Sequence, residues 1–164
     1  MKKNKLLKIG ATLLILFTTI LIIPKILPQL FYTNKTKYKN YVIYSNDNIN
    51  SSIYHILDSV IQLTNYMNLP KANEKYNVFL CNSDLLMRLG TTMLFVPTGA
   101  SDFISNNIYL SHTDIKRNFA TSEEGSTFGR TIQSVIAHEQ THILIREKMG
   151  KLSYFRLYMK SLGK

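Results

Sequence analysis

His138, Glu139 and His142 are the residues whose types and spacing could do chemistry. They form an HExxH pattern inside the apolar run Val135-Ile136-Ala137-His138-Glu139-Gln140-Thr141-His142-Ile143-Leu144-Ile145. On a helix, residues four apart sit about 40° from each other and one turn along. Both imidazoles therefore reach a single ion from the same face. Zn²⁺ accepts neutral imidazole nitrogen and takes four ligands in a tetrahedron, which makes His138 and His142 the candidate metal ligands. Glu139 is rotated away from the pair and is the candidate catalytic base toward a zinc-bound water. The ion lowers the pKa of such a water to about 7.

The elements around the motif must hold it in place. Ile132, Val135 and Ile136 before it, and Ile143, Leu144 and Ile145 after it, predict a buried helix. Thr121-Ser122-Glu123-Glu124 has the pattern of a capping box near its start, and Gly150 has the place of a C′ stop. Upstream, Tyr41-Val42-Ile43-Tyr44, Tyr76 to Cys81 and Asn107 to Ser111 read as strands. Ser51 to Met67 reads as an amphipathic helix, Ser83 to Leu89 as a short helix stopped by Gly90, and Pro97 to Ala100 as a turn. Lys151 to Leu162 alternates basic and apolar residues, as an interfacial or packing helix would.

The segment from Ser126 to Lys164 resembles the active-site helix of zincin metallopeptidases, and more narrowly the small gluzincin group called the peptidase MA family. In that family the HExxH helix is followed by a basic, amphipathic stretch, then by a Trp-x-x-Glu-Gly type segment whose glutamate is the third zinc ligand. Ile143 to Gly163 matches the basic stretch through Arg146, Lys148, Lys151, Arg156 and Lys160. The sequence reaches Lys164 about where the ligand-bearing segment would begin, so the expectation is a chain that lacks it. Glu147, about 140° around the helix from His142, does not close the same coordination sphere. The metzincin pattern fails too, with Ile145 and Lys148 at its glycine and third-histidine positions. Any third ligand within the residues given must come from upstream, where His112, Asp114, Asp102, Glu123 and Glu124 are the candidates.

The resemblance implies a zinc-dependent hydrolase acting on peptide bonds of a peptide or protein substrate. It implies an oxyanion helper among Tyr154, Tyr158 and His112, and a cleft-bordering strand at Asn107 to Ser111. The alternative is a catalytically inactive or truncated zincin-like domain acting as a membrane-anchored binding protein.

Charge and composition complete the expectation. The net charge of +10 is uneven: residues 1–39 carry eight lysines and no acid, and residues 40–145 six basic against nine acidic side chains. Residues 146–164 carry six basic against one acidic. A diffuse nucleic-acid surface would place that charge on the folded domain, so nucleic acid is not an expected partner. Met1-Lys2-Lys3-Asn4-Lys5 followed by the apolar run Ile9 to Ile23 reads as an uncleaved signal anchor, with a cleaved signal peptide as runner-up. The positive-inside rule then keeps the N-terminus cytoplasmic and puts the domain on the extracytoplasmic side. The lone Cys81 excludes an intrachain disulfide. The expected architecture is α+β: a transmembrane anchor over residues 1–30, a polar linker over 31–40, and a small zincin-like domain over 41–164.

Overall fold

The computed structural model describes residues 8, 10, 12, 13, 16, 18, 19, 22–67, 75–91, 95–103 and 105–162. A five-stranded mixed sheet organises them, in the order β1-β2-β3-β5-β4. The strands are β1 (Asn34–Tyr38), β2 (Tyr41–Ser45), β3 (Tyr76–Cys81), β4 (Gly99–Ser101) and β5 (Asn107–Ser111). β2, β3 and β5 run parallel, while β1 and β4 flank them antiparallel. Two short strands, β6 (Thr113–Asp114) and β7 (Phe119–Ala120), form a hairpin beyond β5. The helices after β1 are α1 (Ser52–Asn65), α2 (Asp84–Gly90), α3 (Ile132–Met149) and α4 (Lys151–Leu162).

The strand sequences explain why both sheet faces are covered. Side chains alternate between faces along a strand. In β3 this sends Tyr76, Val78 and Leu80 one way, and Phe79 and Cys81 the other. The first set meets Ile53, Ile56, Leu57 and Val60 of α1 and Ile132, Val135, Ile136 and Ile143 of α3. The second set meets Met87 of α2, Ala100 of β4 and the half-buried rings of Tyr32 and Tyr44. On that second face Tyr44, Phe79 and Tyr109 stack at 4.9 and 5.0 Å between centroids. Parallel strands covered on both faces read as nearly continuous apolar runs, which is why β2, β3 and β5 were visible in the sequence. Truncating a fully buried member such as Ile43 or Leu57 costs about 2–5 kcal/mol.

Three sequence expectations are corrected. The stretch read as a polar linker instead contains β1, an edge strand on β2 whose Lys35 and Lys37 face solvent. Asn107 to Ser111 is a strand, but it lies inside the sheet, and the outermost strand on that side is β4. The expected transmembrane helix is not borne out: among the described residues no helix is long and apolar enough to cross a membrane. A span needs about 20 consecutive, mostly apolar residues in one helix. Pro24 and Pro28 are buried, and Pro28–Phe31 is a 3₁₀ turn. The membrane-anchored, extracytoplasmic placement built on that helix is left without that support. Residues 1–7, the positive end of that expectation, and positions 9, 11, 14, 15, 17, 20 and 21 within its apolar run lie outside the described residues.

Candidate metal centre

Local sequence accounts for the helix that carries the motif. Thr131 is extended at the N-cap of α3, and its hydroxyl accepts the Ser134 amide at 3.3 Å, satisfying one of the free donors of the first turn. The Thr121 to Glu124 segment is a turn instead, with the Thr121 hydroxyl accepting the Glu123 amide. Arg146 and Lys148 lie in the last turn, where cations suit the helix dipole. Gly150 ends α3 with a φ of 81°, a backbone state that glycine adopts without steric cost. The chain turns there and runs into α4.

One side of α3 is buried through Ile132, Val135, Ile136, Glu139, Gln140, Ile143, Leu144 and Arg146. That side presses on the sheet and on α1. His138 is exposed and His142 half-buried, so the two rings are open to solvent while the helix beneath them is fixed. Their Nε2 atoms stand 3.1 Å apart and the rings are perpendicular, with centroids at 4.6 Å. Two nitrogens on a tetrahedral Zn²⁺, each at 2.0–2.1 Å, are separated by ~3.3 Å. The observed spacing thus fits two corners of that tetrahedron. With both rings neutral, one of the facing nitrogens carries the hydrogen that links them.

Glu139 is buried, and β4 closes against it. A Cβ on Gly99 would lie 2.2 Å from Val135 Cγ1 and 3.5 Å from Glu139 Oε1, so glycine is what lets the strand approach this close. Burial pushes the His142 pKa below the ordinary imidazole value; His138 and Arg146 add to that, and Glu139 opposes it. The neutral ring is therefore favoured, and a neutral ring is the form that binds a metal.

A third residue completes the geometry on the far side of His142. The Tyr154 hydroxyl of α4 is 3.0 Å from His142 Nδ1. Tyr154 is braced by Phe103 at 6.1 Å, and the Arg146 guanidinium lies over the same Phe103 ring at 5.8 Å. Arg146 is buried and donates to the carbonyl oxygens of Asp102 and Ser105 at 2.5 and 2.9 Å. The sequence places Arg146 in a basic, amphipathic stretch; in the fold it pins the loop after β4 to α3.

The candidate third ligands are not brought to the histidine pair. His112 pairs with Asp84 at 2.9 Å, Asp114 accepts the Arg117 amide, and Asp102 accepts the Ser105 hydroxyl at 2.6 Å. His112, Asp114 and Glu124 line a cavity of about 590 Å³ beside the β6–β7 hairpin, which His138, Glu139 and His142 do not line. Glu123 is exposed. Among the described residues no group of three or more His, Cys, Asp or Glu side chains is placed to hold a metal ion. None of the upstream candidates is therefore assigned as a third ligand: the sheet carries His112 and Asp114 past the end of β5, while the pair sits in the middle of α3. The side chain of Tyr158, one of the oxyanion candidates, lies outside the described residues. The chain matches no protein-family model, no curated protein and no solved structure.

Proposed function

We propose that this chain is a zinc-dependent peptide hydrolase of zincin type, with its centre on α3. The observation that carries the reading is the 3.1 Å approach of the His138 and His142 Nε2 atoms beside a buried glutamate. His138 and His142 bind Zn²⁺ through neutral imidazole nitrogens, and the burial of His142 supports that form. When bound there, the ion supplies the Lewis acidity that polarises a carbonyl and makes hydroxide available near neutral pH. Glu139, buried beside Gly99, takes a proton from the attacking water and delivers it to the leaving amine. β4 is the outermost strand on this side of the sheet, where an extended peptide adds by backbone pairing.

A second reading is favoured by the donor count. Two imidazoles without a third His, Cys, Asp or Glu beside them among the described residues suit a catalytically silent domain that binds a peptide or protein partner. Catalytic zinc ordinarily keeps three protein ligands and an open position.

Hydrolysis of an unfolded protein by the zinc-loaded chain and by Glu139→Gln tests the proposal. The expected result is a rate roughly 10²–10⁴-fold lower in the variant, with zinc content unchanged. Equal rates would assign the activity to a contaminant. Zinc retention without any hydrolysis in the parent would assign the chain to the second reading.

A further inference from the structure

We infer that Tyr154 is a positioning residue for the metal pair: its hydroxyl holds His142 in the tautomer and orientation that aim the Nε2 lone pair at the point shared with His138. The inference rests on the metal reading above and deepens it. Three observations support it. The Tyr154 hydroxyl lies 3.0 Å from His142 Nδ1, on the side of the imidazole opposite the 3.1 Å contact to His138. Tyr154 is half-buried and braced by Phe103, so the hydroxyl is held there by packing. Gly150 provides the turn that brings α4 back along α3, placing a residue twelve positions downstream of His142 against its ring.

A hydroxyl suits this position because it both donates and accepts. Without metal, the hydrogen between the two Nε2 atoms can sit on either ring, and the Tyr154 hydroxyl can turn to match. Once both Nε2 lone pairs face a cation, His142 carries its hydrogen on Nδ1, and the Tyr154 oxygen accepts it. A ligating histidine is commonly fixed through its other nitrogen in this way, and removing the partner weakens metal binding 10–100-fold. Engaged at Nδ1, the Tyr154 hydroxyl faces away from the metal point. That assigns it to orienting His142 and removes it from the oxyanion role the sequence left open.

The experiment compares Zn²⁺ affinity of the full chain, by competition with a chromophoric chelator, among the parent, Tyr154→Phe and His142→Ala. Tyr154→Phe keeps the ring against Phe103 and removes only the hydroxyl. The expected result is a roughly 10–100-fold weaker affinity in Tyr154→Phe, with a larger loss in His142→Ala. Parent-like affinity in Tyr154→Phe beside a loss in His142→Ala would overturn the positioning role and leave the metal reading standing. Zinc binding unchanged in His142→Ala would overturn both. A measurement on the parent alone covers the case of a variant that does not fold. Two-bond ¹H–¹⁵N correlation on the zinc-loaded protein should show His142 protonated at Nδ1, with that proton protected from exchange. An unprotonated or freely exchanging Nδ1 would overturn the inference.

Discussion

The Tyr41 hydroxyl donates a 2.6 Å hydrogen bond to Gln140 Oε1, linking two buried residues 99 positions apart. Tyr41 opens β2, and Gln140 lies between Glu139 and His142. The motif helix is thereby tied to the sheet by a polar contact inside an otherwise apolar interface. Burial raises the Tyr41 pKa well above the ordinary phenol value, with Tyr76 adding to the effect and Gln140 opposing it, so the hydroxyl stays a donor throughout the working pH range.

Tyr41→Phe leaves the Gln140 oxygen buried without that donor. The expected cost is about 1–3 kcal/mol, read as a lower urea midpoint at constant slope. A midpoint equal to the parent's would show that the bond does not anchor α3.

Gly99→Ala drives a methyl group into Val135. Overpacking of this kind costs about 1–3 kcal/mol. Because the clash is with one side-chain atom at 2.2 Å, Val135→Ala made in the Gly99→Ala background should recover part of the loss. Additive destabilisation in the double variant would place the strain elsewhere.

Arg146→Lys keeps the charge and loses the planar fork that reaches two carbonyls at once. A stability loss of about 1.5–3 kcal/mol is expected, together with greater exposure of the loop around Asp102 and Ser105 to limited proteolysis. An unchanged denaturation midpoint would remove Arg146 from the set of fixed points behind the site.

The lowered pKa of His142 gives a pH dependence whose sign can be worked out. In the folded chain this ring resists protonation, so below the unfolded value of about 6.5 the unfolded chain binds the extra proton first. Stability is fully present above that value and is lost as pH falls toward the folded value. Urea midpoints of the metal-free chain should decline from pH 7.5 to pH 5.5, and His142→Gln should flatten part of the decline. A profile identical in parent and variant would contradict the assignment to His142.

The core strands and helices were legible because their signals are local. Ile53, Ile56, Leu57 and Val60 repeat at helical spacing, and Tyr76 to Cys81 is apolar or β-favouring throughout. β1 was missed because Lys35 and Lys37 alternate with Thr36 and Tyr38, a polar edge strand that reads as linker until it finds β2. β4 hid behind Pro97-Thr98-Gly99, which signals a turn although Gly99 already pairs with Leu110. At the site, the two histidines and the glutamate could be read from spacing alone. Arg146 could not, since its burial depends on carbonyls more than 40 positions upstream. Tyr154 was visible only as one tyrosine among several, and the turn at Gly150 decides which atom it meets.

Cys81 has a practical consequence. It sits beneath Tyr32, whose hydroxyl is 3.0 Å from Sγ, and burial pushes its thiol up to about 12. At neutral pH it offers alkylating reagents no thiolate and no approach. It is also the chain's single cysteine. A cysteine installed on the outer face of α4 would therefore be the lone position to take up a maleimide dye, and fluorescence could report the motion of that helix against a silent background.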